Sequence, residues 1–155
     1  MLVRYALRSE LEKINSIRRT VNDLHVEGRP DIFRVGFNKE LENHIYTQFD
    51  DSETDVIAAL IDGEVCGFAM VTYVTKPLSP YNLERRYYNI VEFGVDPLFR
   101  RRGVGTALIE FCRNEAQNKG LDRIELDMWE FNETALKFYE SVGFSTYRRY
   151  MEMEI

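Results

Sequence analysis

The spacing of apolar positions along the chain switches between the two-residue period of a strand and the three-to-four-residue period of a helix, and each switch marks an element. Leu2 to Leu7 alternates as a short strand. Ser9 with Glu12 spells a capping box, and Leu11, Ile14, Ile17, Val21 and Leu24 then predict one helix ending near His25. Gly28-Arg29-Pro30-Asp31 stops it. Ile32 and Phe33 are apolar residues in an otherwise polar connection, a placement that suits substrate contact or a plain surface loop equally. Leu41, Ile45 and Phe49 predict a second, weaker helix. Asp50-Asp51-Ser52-Glu53 is a solvated turn, after which two apolar runs, Val56 to Ile61 and Val65 to Val74, are joined by Asp62-Gly63, a strong hairpin signal.

Lys76 to Pro80 is a loop and Tyr87 to Val95 a strand. Val104 to Asn118 is a helix with Val104, Leu108, Phe111, Cys112 and Ala116 on its core face and Gly120 closing it. Arg123 to Trp129 alternates as another strand, Ile124, Leu126 and Met128 opposite Glu125 and Asp127. Asn132 caps a short helix carrying Ala135, Leu136, Phe138 and Tyr139, which ends around Ser141-Val142-Gly143. Phe144 to Ile155 reads as a final strand or hairpin arm. Strands dominate the middle and helices alternate with strands towards the end, so residues 1–155 predict one mixed α+β or α/β domain built on a single sheet.

Composition narrows the function classes. A chain of 155 residues with 45% hydrophobic and 30% charged residues is an ordinary globular domain without a membrane-length apolar run. The start Met1-Leu2-Val3-Arg4-Tyr5 lacks the pattern of a signal peptide, so a cytoplasmic location is expected. A net charge of -6 argues against a nucleic-acid partner and would attract a cationic small molecule. Cys66 and Cys112 form no metal or redox spacing, and His25 and His44 have no partners at ligand spacing, so no metal is expected and packing or surface roles are favoured.

Against that acidic background the stretch Ile90 to Gly105 stands out. An apolar strand is broken by Asp96-Pro97, three arginines follow, and glycines flank Val104 where a helix opens. First-turn amides have no partner inside a helix, and with the dipole behind them they favour an anion, which points to a bound polyphosphate. A dinucleotide fingerprint would need glycine where Leu108 stands, a triphosphate loop would need Gly-Lys-Ser or Gly-Lys-Thr, and a turn that merely starts a helix remains the plain alternative.

Arg100-x-x-Gly103-x-Gly105 resembles the acyl-CoA pyrophosphate loop of the GNAT superfamily of N-acyltransferases, and Asn132 with Ala135, Phe138, Tyr139, Gly143 and Phe144 resembles that family's later motif. The two cover Ile90 to Phe144 in matching order; before Ile90 the likeness is one of layout. The resemblance implies a twisted, mostly antiparallel sheet of six or seven strands with helices on both faces, the strands around the glycine-loop helix running parallel. It also implies acetyl-CoA as acyl donor and an amine as acceptor, by direct attack in a ternary complex. The donor is then expected against Phe93, Gly94 and Val95, with Gly94 fitting a bulge or a close backbone approach, and against Arg100, Arg101, Arg102, Gly103, Val104, Gly105 and Thr106, with Asn132 and Phe138 as further contacts. Tyr139 is placed to protonate the departing thiolate.

An alkylammonium with a pKa near about 10.4 costs about 4.6 kcal/mol to neutralise at pH 7, and Glu92 is the first candidate for that base, directly or through water. Phe33, Glu92, Asp127 and Trp129 are candidate acceptor contacts, with Glu125, Tyr73, Tyr87 and Tyr88 as weaker ones. The absence of a serine or cysteine in a nucleophile setting fits direct transfer. The acceptor is expected to be a small primary amine such as a polyamine, aminoglycoside or amino acid. A peptide N-terminus, as for the ribosomal-protein alanine acetyltransferases, is one alternative and a non-catalytic acyl-CoA sensor another. A homodimer is expected by analogy only.

Overall fold

The computed structural model describes all residues, 1–155. One sheet has five strands in the order β1 (Leu2–Tyr5), β2 (Thr54–Ile61), β3 (Glu64–Lys76), β4 (Arg85–Val95) and β5 (Ile124–Leu126). Successive pairs are antiparallel except β4 and β5, which run parallel because a helix makes the crossover between them. Helices α1 (Leu11–Gly28) and α2 (Lys39–Phe49) cover one face; α3 (Val104–Asn118) and α4 (Glu133–Ser141) cover the other.

Each face of the sheet has its own core. Leu11, Ile14 and Ile17 of α1 and Ile45 of α2 pack on Val56, Ala58, Phe68 and Met70. Val104, Leu108, Ile109, Cys112 and Ala116 of α3 pack on Ile57, Ala69, Val71, Tyr88 and Ile90. The hairpin turn is the one that Asp62-Gly63 predicts, with positive φ at both residues (52° and 83°).

Three expectations fail. The start of α1 is preceded by a short 3-10 turn at Arg8–Glu10, where the Leu7 amide donates to the Glu10 carboxylate at 2.7 Å, so Ser9 and Glu12 form no capping box. Leu24, the last residue of the predicted apolar face, is exposed. The sheet has five strands instead of six or seven because Phe144 to Ile155 pairs with nothing: β5 is three residues long, not the Arg123 to Trp129 span, and offers too short an edge for a ladder. Met151, Met153 and Ile155 keep their alternation but have no apolar surface to meet, and the tail is exposed throughout from residue 145. It is tied down by polar contacts, the Tyr147 hydroxyl donating to Glu125 at 2.9 Å and Arg29 to Glu152 at 2.7 Å.

The site is positioned by a bulge in β4. Met70 pairs with Glu92 and Val71 with Ile90, which leaves Val91 without a partner on β3. One extra residue shifts the side-chain alternation by one. Tyr88 and Ile90 face α3 before the bulge, Phe93 and Val95 face it afterwards, and Glu92 and Gly94 turn to α1. The β4–β5 ladder ends at the same point, Ile90 opposite Leu126, so from Val91 to Val95 the strand has a neighbour on one side only. Gly94 is therefore not the bulge. It is a close-approach position for α1: a Cβ there would lie 2.9 Å from the Phe68 ring, 3.0 Å from an Ile17 methyl and 3.1 Å from a Val21 methyl.

Candidate active site

The loop between β4 and α3 is shaped by Asp96. Its Oδ1 accepts from the Leu98 amide at 3.0 Å and its Oδ2 from Lys13 Nζ at 3.0 Å, which holds the Pro97–Phe99 turn against α1. The chain then takes positive φ at Arg101 (60°) and Gly103 (78°) before entering α3. The first amide to find a backbone acceptor is that of Ala107, on Gly103 at 3.0 Å; those of Arg101 to Thr106 have none. Unpaired amides converging at a helix start form an anion cradle. Arg100, Arg101 and Arg102 are exposed and in no ion pair, the Arg102 guanidinium resting 5.2 Å above the Phe99 ring. The two glycines do different jobs. Gly103 supplies the left-handed backbone, whereas a Cβ on Gly105 would stand 2.9 Å from the Phe138 ring.

Phe138 brings α4 over the loop. Asn132 caps that helix, its Oδ1 accepting from the Ala135 amide at 3.1 Å, which leaves its Nδ2 without a partner in the chain. Phe93, facing α3 because of the bulge, stacks on Phe138 (5.9 Å, 27°) and meets Tyr139 at 6.0 Å and 64°. Tyr139 is also braced by Phe144 at 5.6 Å. No protein group bonds its hydroxyl, and burial pushes its pKa up to about 12. At neutral pH it is a protonated donor beside the parted strands.

On the opposite face Glu92 meets Arg18 in a two-pronged ion pair, Nε to Oε2 at 2.6 Å and Nη2 to Oε1 at 2.8 Å. Arg18, 3% exposed at its side chain, is also fixed by the Asn15 Oδ1 and the Leu41 carbonyl. Beyond this pair lies an aromatic cluster. His25 stacks on Phe33 (5.1 Å, 25°), Phe33 meets Trp129 edge-on at 5.1 Å, and Phe131 stands 6.4 Å from both Trp129 and His25. Arg29 covers Trp129 at 5.8 Å and is itself held by Asp31 and Glu152. Gly28, the last residue of α1, makes room for this ring, since a Cβ there would lie 2.2 Å from Phe131.

Phe33 and Trp129 thus come together on the Glu92 side of the sheet. Asp127 is exposed and bonds to nothing in the chain, and Glu125 is taken by Arg85 and Tyr147. Tyr73 and Tyr88 both donate to Asp55, near Lys119 at the far end of α3, and Tyr87 lies under the Arg85 guanidinium, so these three tyrosines do not wall the cleft. His25 and Phe131 are the residues the sequence reading misses. Their signals are faint: His25 follows Arg18 by seven positions, the same helix face, and Phe131 directly precedes the Asn132 cap.

Cys66 and Cys112 are both wholly buried, and burial raises both thiols, Cys112 to about 12, so neither is a nucleophile. No three His, Cys, Asp or Glu side chains gather as metal ligands, and no helix is long and apolar enough to cross a membrane.

A family model described as "Acetyltransferase (GNAT) family" matches residues 19–144. The ribosomal protein bS18-alanine N-acetyltransferase of Escherichia coli (strain K12) is 30% identical over 84 residues, 54% of this chain and 50% of that protein. The L-amino acid N-acetyltransferase AaaT of the same strain is 34% identical over 94 residues, 57% and 51% of the two chains. The chain spans about half the length of the curated relatives it matches. Among solved structures, a tetramutant of the BH1408 protein from Bacillus halodurans superposes with a TM-score of 0.95 at 25% identity, covering 100% of both chains. AAC(6')-Iy in complex with a bisubstrate analogue, CoA-S-monomethyl-acetylneamine, superposes with a TM-score of 0.77 at 19% identity, over 99% of this chain and 97% of that one, a likeness of fold.

Proposed function

The chain belongs to the GNAT acetyltransferase family, and from that premise we propose that residues 1–155 act as one domain that acetylates a small primary amine, with acetyl-CoA as donor and direct attack in a ternary complex. One observation carries the reading: the parted β4 edge connects an anion cradle and an unpartnered phenol on one face with a carboxylate and an aromatic cluster on the other.

Bound acetyl-CoA supplies an acyl thioester and a thiolate leaving group. The amides of Arg101 to Thr106 and the three arginines bind its pyrophosphate. The edge of β4 from Val91 to Val95, open because β5 stops pairing at Leu126, offers backbone donors and acceptors to its pantetheine amides and a donor to the developing oxyanion. Asn132 adds its free Nδ2. Tyr139, protonated well beyond neutral pH, gives a proton to the departing sulfur. Glu92 draws the cationic acceptor. With both oxygens on Arg18, it would have to give up a charge-assisted pair to take a proton itself.

The buried thiols support direct transfer over a covalent acyl-enzyme. The aromatic cluster beside Glu92 supports a compact acceptor with apolar carbon. A peptide N-terminus is the second reading, favoured by the 30% identity to the bS18-alanine enzyme over half of this chain. A thiol-release assay with acetyl-CoA against polyamines, aminoglycosides, amino acids and N-terminal peptides tests both. Release with small amines above peptides is the expected result. Tight CoA binding without release for any amine would leave only a sensor.

A further inference from the structure

We propose that His25, set between Phe33, Phe131 and Glu92 at the acceptor end of the cleft, takes the proton from the incoming ammonium. This rests on the acetyltransferase reading above. The first ground is position. α1 delivers Arg18 to Glu92 and Val21 to Gly94, and His25 lies on the same face, seven residues from Arg18 and four from Val21. It thus lies on the α1 side of the sheet, within the field of Glu92 and against Phe131, which precedes the Asn132 cap.

The second ground is that the imidazole is held but not used. Phe33 stacks on it and the Phe131 edge abuts it, yet no group of the chain hydrogen-bonds either ring nitrogen. Neither nitrogen is sealed away, since the one buried, unpartnered side-chain nitrogen or oxygen in the molecule is Arg85 Nε. A half-buried histidine that fixes its plane by aromatic contact and leaves its nitrogens accessible and unpartnered is arranged to exchange a proton.

The third ground is charge. Burial lowers the pKa of His25 below its ordinary value, and the nearby Glu92 carboxylate partly opposes this. The ring is then neutral at pH 7, able to accept, and the imidazolium it becomes is steadied by Glu92. The other charged groups around it are committed elsewhere: Arg18 to Glu92, and Arg29, over Trp129, to Asp31 and Glu152. In the step itself the ammonium N–H bond breaks, its electron pair stays on the amine nitrogen, and an N–H bond forms on the imidazole. The imidazolium then passes the proton to solvent. The apolar cluster helps by disfavouring the charged form of the amine next to it.

The full-length protein allows two independent tests. With 2 histidines in the chain, His44→Gln assigns the His25 ring proton by NMR. Its midpoint is expected below about 6.5, and Glu92→Gln should lower it further because an attracting anion is removed. A midpoint at or above the free value, or one indifferent to Glu92→Gln, would overturn the placement. In the kinetic arm, with acetyl-CoA and 2-phenylethylamine as the probe amine, kcat/KM should fall on the acid side as His25 protonates. His25→Gln should remove that limb and lower kcat/KM by about 10²–10⁴, with CoA binding by calorimetry unchanged. Phe33→Leu, which exposes the ring, should shift the limb to higher pH. An unaltered limb and rate in His25→Gln, while the wild type binds CoA and turns over, sinks the His25 inference alone; a wild type that binds no CoA sinks the acetyltransferase reading beneath it.

Discussion

At the scale of single residues, the two sides of the cleft hold groups in opposite protonation regimes by the same means. Burial raises the Tyr139 phenol and lowers the His25 imidazole, since in each case it penalises the charged form. A donor that stays protonated and an acceptor that stays neutral at pH 7 are therefore held on the two sides of the sheet. For Tyr139→Phe, kcat should fall by about 10²-fold or more while the calorimetric Kd for CoA is unchanged, because Phe93, Phe138 and Phe144 brace the ring and not the hydroxyl. Undiminished turnover in that variant would remove the phenol from the chemistry.

At the scale of elements, packing sets what the glycines do. Gly94→Ala should destabilise by about 1–3 kcal/mol in chemical denaturation, since the added methyl meets Phe68, Ile17 and Val21 together on the α1 face. Gly105→Val should act differently, pushing Phe138 and α4 away from α3 and abolishing CoA binding at modest cost in stability. Sequence patterns made some elements legible and hid others for physical reasons. α3 appears with the bounds Val104 to Asn118 because a long amphipathic period ends at a glycine with positive φ. The arginine-glycine loop stands out because residue type and spacing carry its chemistry locally, whereas Tyr139, one of 9 tyrosines, stands out only through the resemblance to the family's later motif. The bulge at Val91 leaves no mark, because the extra residue is an ordinary strand former, and the eye goes to Gly94 instead. The tail alternates like a strand, but alternation describes only the strand and says nothing of its partner, and β5 supplies none. The His25 cluster was illegible because it joins α1, a loop and the segment after β5, three regions brought together only by the fold.

At the scale of the whole molecule, charge is divided unevenly. A net charge of -6 surrounds three unpaired arginines at the start of α3. Their field is solvent-exposed and therefore screened, so CoA affinity should weaken several-fold as salt rises from about 0.1 M, where the Debye length is about 10 Å, to about 1 M, where it is about 3 Å. Titration of the Arg100→Ala, Arg102→Ala double variant should show a shallower salt dependence, and an identical slope would remove both of these arginines from CoA binding. The parity change at Val91 reaches further than the site. Every side chain of β4 after it is one step out of phase in numbering with those before, and the bulge absorbs that step, so a chain that kept Val91 but paired it regularly against β3 would exchange the two faces wholesale. Phe93 and Val95 would then be presented to α1 and Glu92 turned into the α3 core, whereas deleting Val91 outright would straighten the strand and leave both faces as they are. Deleting Val91 should therefore preserve both cores and remove only the local bend that the bulge gives β4.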